Sequence, residues 1–200
     1  MKRILGCLAL ALASSANATI ITSTADAALA GATVQNFDAV APGTYASLAL
    51  PGVTIVGNGG SMSIDNVNGN FGRGGLNLNN PSGFPASFDL LFSSPVTAFG
   101  IYGGAVNGPW VYTAFDAANH RLESITTAGA CCSAMFYGIA NRAGIARVSL
   151  EGPVDWVIFD DLYIGPEPAK VPEPASITLF GAALAGLAGA RRKDKALRAS

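Results

Sequence analysis

The 200-residue sequence is poor in the side chains that carry catalysis. It has one histidine, three cysteines and little charge, 12 Lys and Arg against 13 Asp and Glu. The histidine, His120 in "DAANHRL", falls at the tip of an expected hairpin. A catalytic imidazole needs a nucleophile on one side and an orienting acid on the other, and a hairpin tip buries neither. His120 therefore reads as a solvated turn residue. No G-x-S-x-G, H-E-x-x-H or Cys/His zinc spacing is present. The glycine-rich stretches 57–60 and 69–75 lack the Lys-Ser/Thr and the helix of a phosphate loop. "DNVNGN" (65–70) has Val67 where an EF-hand loop needs Asp or Asn.

Positive charge is scarce in the body of the chain. Residues 19–165 hold Arg73, Arg121, Arg142 and Arg147 against ten acids, a balance of 4 − 10 = −6. An acidic body without a basic stripe argues against nucleic-acid binding. Cysteine is equally sparse. Cys7 stands near the start, and Cys131 and Cys132 are adjacent. Neighbouring residues sit closer together than an ordinary disulfide requires. Two thiols, a strained vicinal disulfide and a cross-link between chains all stay open for this pair.

The remaining basic residues gather at the two ends, beside apolar runs. At the start, Lys2 and Arg3 precede the apolar run Ile4 to Ala13, and Ala16-Asn17-Ala18 follows. Charged n-region, short h-region and A-x-A site make residues 1–18 a signal peptide, with 19–31 as a lead segment. Export through the Sec translocon follows, into an oxidising compartment. At the other end, residues 166–174 are rich in proline and read as a stiff, extended linker. The linker ends on Val171, Pro172, Glu173 and Pro174. Residues 175–190 carry no charge and read as a hydrophobic transmembrane helix. At 1.5 Å per residue such a helix spans about 24 Å, short of the roughly 30 Å hydrocarbon core. It suits a transient stop better than a permanent anchor. Arg191, Arg192 and Lys193 open the basic tail 191–200 and hold it on the cytoplasmic side.

The order of Val171-Pro172-Glu173-Pro174, the apolar run 175–190 and Arg191-Arg192-Lys193 resembles the PEP-CTERM sorting signal of Gram-negative bacteria. The resemblance covers about the last thirty residues. It implies recognition by an exosortase, a membrane-embedded protease-transpeptidase. It also implies delivery to the cell surface or to an extracellular polysaccharide matrix, as in biofilm.

Between the ends, short alternating runs separated by Gly and Pro predict an all-β domain over 32–165 with nine or ten strands. Even spacing points to an antiparallel β-sandwich or jelly roll. "ASFDLLFSSPVTAFGIYGG" (86–104) reads as two strands joined at Ser93-Ser94-Pro95, and 135–140 and 145–152 as two more. "WVYTAFDA" (110–117) and "HRLESITTA" (120–128) form a hairpin. The expected core is Phe37, Ile55, Phe88, Leu90, Phe99, Ile101, Val111, Phe115, Phe136, Val148, Leu150, Val157, Phe159 and Leu162.

Two sets of residues in this body are candidate sites. Asp38 lies in the expected first strand and Asp160 and Asp161 in the last, which often pair. Together they could supply hard oxygen ligands for a structural Ca²⁺, or cap backbone N–H groups at strand ends. Trp110, in an expected loop, and Tyr112 could form a sugar-stacking platform, whereas Trp156 lies in an expected strand and reads as core. The stretches "NFDAVAPGTY…GVTIVG" and "IARVSLEGPVDWVIFDDLYIG" resemble the jelly-roll domains often attached to this signal. That resemblance implies a lectin-like, carbohydrate-binding scaffold that carries no reaction, and it points to the same calcium. An exported non-catalytic matrix protein is the favoured reading and a carbohydrate-binding module the alternative. A hydrolase using a dispersed pair such as Asp116 with Glu123 is the least favoured.

Overall fold

The computed structural model describes residues 18–66, 73–80, 84, 86–129, 131 and 133–169. Residues 1–17 of the expected signal peptide, Val171 to Pro174, the helix 175–190 and Arg191 to Lys193 lie outside the described residues.

The described chain is all-β. Its strands are β1 (Thr19–Ile21), β2 (Thr33–Gln35), β3 (Gly43–Tyr45), β4 (Ser47–Leu50), β5 (Val53–Gly57) and β6 (Met62–Asp65). They continue with β7 (Asn77–Asn79), β8 (Ser87–Gly104), β9 (Val111–Phe115), β10 (Arg121–Thr126), β11 (Met135–Glu151) and β12 (Ile158–Ile164). Every pairing is antiparallel. The helical element among the described residues is one 3₁₀ turn, Ala27–Leu29, capped by the Asp26 side chain.

Two long strands make the sandwich. β8 has 18 residues and β11 has 17, and each runs first in one layer and then in the other. The first half of β8 pairs with β5, and the second half with β12. β11 pairs with β1 early and with β9 late. One layer is thus β4-β5-β8-β11-β9-β10. The other is β1-β11-β8-β12, extended by β7, β6 and β3. The register between β8 and β11 slips between Ala140 and Arg147, where the strands turn the corner. Pro95 sits there because it cannot donate to a regular ladder, and Gly144 takes a φ of +96°. The two strands expected at 86–104, and the two at 135–152, are therefore single strands bent at a corner.

Folding β8 over brings its ends together across the core. Phe88 meets Phe159 edge-on at 5.3 Å between ring centroids, and Trp110 meets Phe159 at 5.5 Å. Most expected core residues are buried. Val111 departs from the expectation at 38% exposure. β9 begins there and alternates, so its neighbours Tyr112 and Ala114 take the inward face. Phe115 is half-buried on that outer face, beneath the Arg147 guanidinium at 3.8 Å.

The segment 19–31 is part of the domain rather than a lead into it. β1 pairs with β11, and Ile21 and Leu29 pack with Ala98 and Phe136 on the outer face of the β8–β11 layer. Ile20 points away, at 57% exposure. The chain leaves the domain at the same corner. Gly165 N–H donates to Ala98 C=O at 2.9 Å, and Thr97 N–H to Pro166 C=O at 2.8 Å.

Candidate functional site

The three candidate aspartates come to one place, a notch in the edge of β12. β7 pairs with Ile158 and Phe159, and β2 with Leu162 to Ile164. Between them Asp160 and Asp161 form a bulge, with Asp161 at φ +44°. The bulge turns both Phe159 and Leu162 into the core although they are three residues apart, an odd spacing that unbroken alternation forbids.

The 73–76 segment fills the notch. Arg73 N–H donates to Asp160 Oδ2 at 2.9 Å, and Asp161 N–H to Asp160 Oδ1 at 2.8 Å. Arg73 Nε reaches Asp161 Oδ2 at 3.3 Å, and its guanidinium lies 4.3 Å over the Tyr102 ring. Asp38 stands beyond the end of β2, after Phe37 at φ +63°. Its Oδ1 accepts from Leu76 N–H at 2.7 Å and its Oδ2 from Asn36 Nδ2 at 3.0 Å. Gly75 is required here, because its φ is +75° and a Cβ would overlap the Asp38 carboxylate. Asp160 is 1% exposed. Burial pushes its pKa up to about 6, against the two N–H donors, and the charges of Asp161 and Asp38 push the same way.

This donor set does not fit a calcium ion. Both oxygens of Asp38 and of Asp160 accept from N–H donors, and the cation against Asp161 is Arg73. Among the described residues no group of three or more His, Cys, Asp and Glu is placed to hold a metal ion. The geometry is that of carboxylates capping backbone N–H groups at an interrupted strand edge. Arg73 was the residue sequence reading missed, since its partner lies 88 positions away.

The two tryptophans exchange their expected places. Trp110 is 1% exposed and Tyr112 2%, so neither offers a face to solvent. They line a cavity of about 10 Å³ with Thr127, Tyr137, Val157 and Phe159, room for about one water and too small for a sugar ring. The Trp110 Nε1–H is buried without an acceptor. Burial pushes the Tyr112 hydroxyl pKa upward. Trp156 instead lies before β12, 46% exposed, with Val154 at 63% and Phe84 at 54%. The signal for this was Asp155 ahead of Trp156, two residues after Pro153, a turn pattern rather than a strand.

His120 closes the β9–β10 turn, where Asp116 Oδ1 accepts its backbone N–H at 2.8 Å and Oδ2 meets Nδ1 at 3.1 Å. These bonds hold the Asp116 pKa below its ordinary value. Glu123 Oε1 accepts from the N–H of Ser124, and the Asp116 oxygens are taken up inside the turn.

The model of the PEP-CTERM protein-sorting motif matches residues 170–193. This chain carries a PEP-CTERM sorting motif. The motif implies an exported protein that an exosortase processes. Among solved structures, a mutant family 29 carbohydrate-binding module is similar at 14% identity, over 72% of this chain and 98% of that one, with a TM-score of 0.38. A second mutant of that module is 11% identical over 79% and 100%, with a TM-score of 0.37. Another family 29 module is 11% identical over 80% and 97%, with a TM-score of 0.35. No curated protein is matched.

Proposed function

We propose that this protein is a non-catalytic, structural or adhesive component of the extracellular polysaccharide matrix or cell surface of a Gram-negative bacterium. Residues 1–18 direct it through the Sec translocon and are removed. Residues 175–190 then hold it transiently in the inner membrane, with Arg191, Arg192 and Lys193 in the cytoplasm. An exosortase acts near Val171-Pro172-Glu173-Pro174 and releases the β-domain outward.

The match of the sorting motif to residues 170–193 carries this reading. The β-domain supports it, because its first strand and its last bonded residues meet at one corner. Thr19 pairs with Ala140, while Pro166 accepts from Thr97 one residue before Ala98, the β8 partner of Ala140. Both ends of the domain therefore emerge at one corner, which suits a body carried between two targeting segments. Mass spectrometry of the protein recovered from its host, with each cell fraction assayed, tests the reading. A chain starting near Thr19, ending near Pro172 and lying outside the inner membrane is expected. A chain keeping residues 175–200 in the membrane fraction would make the tail an anchor and end the proposal.

A further inference from the structure

We propose that the end of the sandwich opposite the chain's exit is a polysaccharide-binding surface, on which Trp156, with Val154 and Phe84 also exposed at this end, stacks on the rings of a neutral glycan. The choice of a glycan as occupant rests on the matrix reading above. The surface itself rests on the following geometry.

Asn80 and Ala86 are both bonded to the stretch between β11 and β12 at this end. Gly152 N–H donates to Ala86 C=O at 3.0 Å. Further along, Asn80 N–H donates to Val157 C=O, Asn80 Oδ1 accepts from Val157 N–H at 2.6 Å, and Asn80 Nδ2 donates to Asp155 C=O at 2.8 Å. Phe84 is exposed in the stretch between Asn80 and Ala86, and Val154 and Trp156 in the stretch between Gly152 and Val157. A third segment locks against them. Asp155 Oδ2 accepts from both the backbone N–H and Nδ2 of Asn107, and Gly108 packs on Pro153. Asp155 Oδ1 also accepts from Trp156 N–H at 2.9 Å, which fixes the backbone of the tryptophan itself. The Trp156 ring is thus held on bonded backbone, so little ordering of it is left to oppose binding.

Chemistry and size choose the occupant. An aromatic face is electron-rich and meets the polarised C–H faces of sugar rings. Half-exposed Trp156 and Phe84 with Val154 offer roughly 300 Å² of apolar surface. A stable protein interface needs about 800 Å² per partner. The patch suits one or two sugar rings and falls well short of a second protein. The balance of −6 over residues 19–165, with Glu151 at the end of β11 and Asp155 in the loop after it, repels a polyanionic glycan. β12 leads from this end to the corner where the chain leaves, seven residues or about 20 Å away.

Affinity electrophoresis tests this with the mature protein from its host, or with the full chain in detergent if the tail is retained. The gels carry a soluble neutral β-glucan, a neutral mannan or polyanionic alginate. At least one neutral glycan should retard the wild type. Trp156→Ala should weaken that affinity about tenfold or more, Trp156→Phe should keep part of it, and Trp110→Phe should keep all. Sedimentation and melting temperature of Trp156→Ala should match the wild type. Retardation by neither neutral glycan, by alginate alone, or equally by Trp156→Ala would overturn the proposal. So would a wild-type dimer that Trp156→Ala splits, which would make the patch a self-interface. Cell fractionation scores the destination separately from the gels, so either reading can fail alone.

Discussion

Gly152 and Trp110 share one space: a Cβ on the glycine would overlap the indole at Cε2, Cδ2 and Nε1. The indole is fully buried and wedged edge-on against Phe159, so it cannot swing aside. Gly152→Ala should therefore cost about 1–3 kcal/mol, as overpacking does, read as a lower melting temperature. The emission of Trp110 should shift to the red as the ring is displaced. Gly59→Ala is the contrast. Open space surrounds Gly59, and its φ of +86° makes the cost conformational, about 1 kcal/mol. Equal losses in the two variants would show that the indole has room to move.

Asp160 predicts a pH dependence of definite sign. Its folded pKa is raised from 3.8 to about 6, chiefly by burial. Between those values the folded state binds more protons than the unfolded one. Stability from this group is therefore full below pH 4 and falls as pH rises toward 6, by about 3 kcal/mol, then stays level. Asp160→Asn should remove that decline from the melting profile, whatever its absolute stability. A wild-type and mutant difference that is flat from pH 4 to 7 would refute the buried carboxylic acid. Millimolar calcium should leave the wild-type melt unchanged, because Arg73, Leu76 and Asn36 occupy the carboxylates. A rise of several degrees that Asp160→Asn abolishes would show that the three aspartates do converge on a cation.

Local pattern carried much of this architecture and long-range geometry carried the rest. Alternation in 110–117 and 120–128 is enough to give the β9–β10 hairpin, which pairs Val111 with Thr126. The corner in β8 and β11 is not legible in the same way. Ser93-Ser94-Pro95 reads as a turn by composition, yet the backbone continues because each half finds a different partner strand. The aspartate notch was half legible. Pairing of the first and last strands of the expected domain put Asp38 near Asp160 and Asp161, and β2 does pair with β12. The odd spacing of Phe159 and Leu162 contains the bulge that re-aims both acids, but only a known core makes the spacing decisive. Trp110 and Trp156 were exchanged because flanking prolines signal a loop without saying which side chain of it turns inward.

Asn80 joins the two segments of the exposed aromatic end, so its loss should be felt there. Its amide is buried and satisfies Val157 N–H and Asp155 C=O together. Asn80→Ala leaves two backbone groups without those partners and should cost about 2–4 kcal/mol. Hydrogen exchange should rise first at Val157 and Trp156, ahead of β9 and β10. A uniform rise across the whole domain would mean that Asn80 supports global stability rather than this end. Asn80→Asp keeps the acceptor for Val157 N–H but faces the Asp155 carbonyl with an acceptor, so it should fall between the wild type and alanine.

Arg147 ties three parts of the other layer with one planar group. Nη1 donates to Asp89 Oδ1 at 2.9 Å, Nη2 donates to Asn119 Oδ1 at 2.8 Å, and the guanidinium covers Phe115. Asn119 holds a left-handed φ of +63° in the β9–β10 turn, so the bond also steadies a strained position. A lysine can replace the charge but not the fork or the flat face. Arg147→Lys should therefore lose most of what Arg147→Ala loses, about 1–2 kcal/mol, in chemical denaturation. The loss should change little between low and moderate salt, because flat packing and directed bonds carry it rather than long-range attraction. If the lysine variant were as stable as the wild type at low salt and lost that stability as salt rose, simple charge pairing with Asp89 would be the whole contribution.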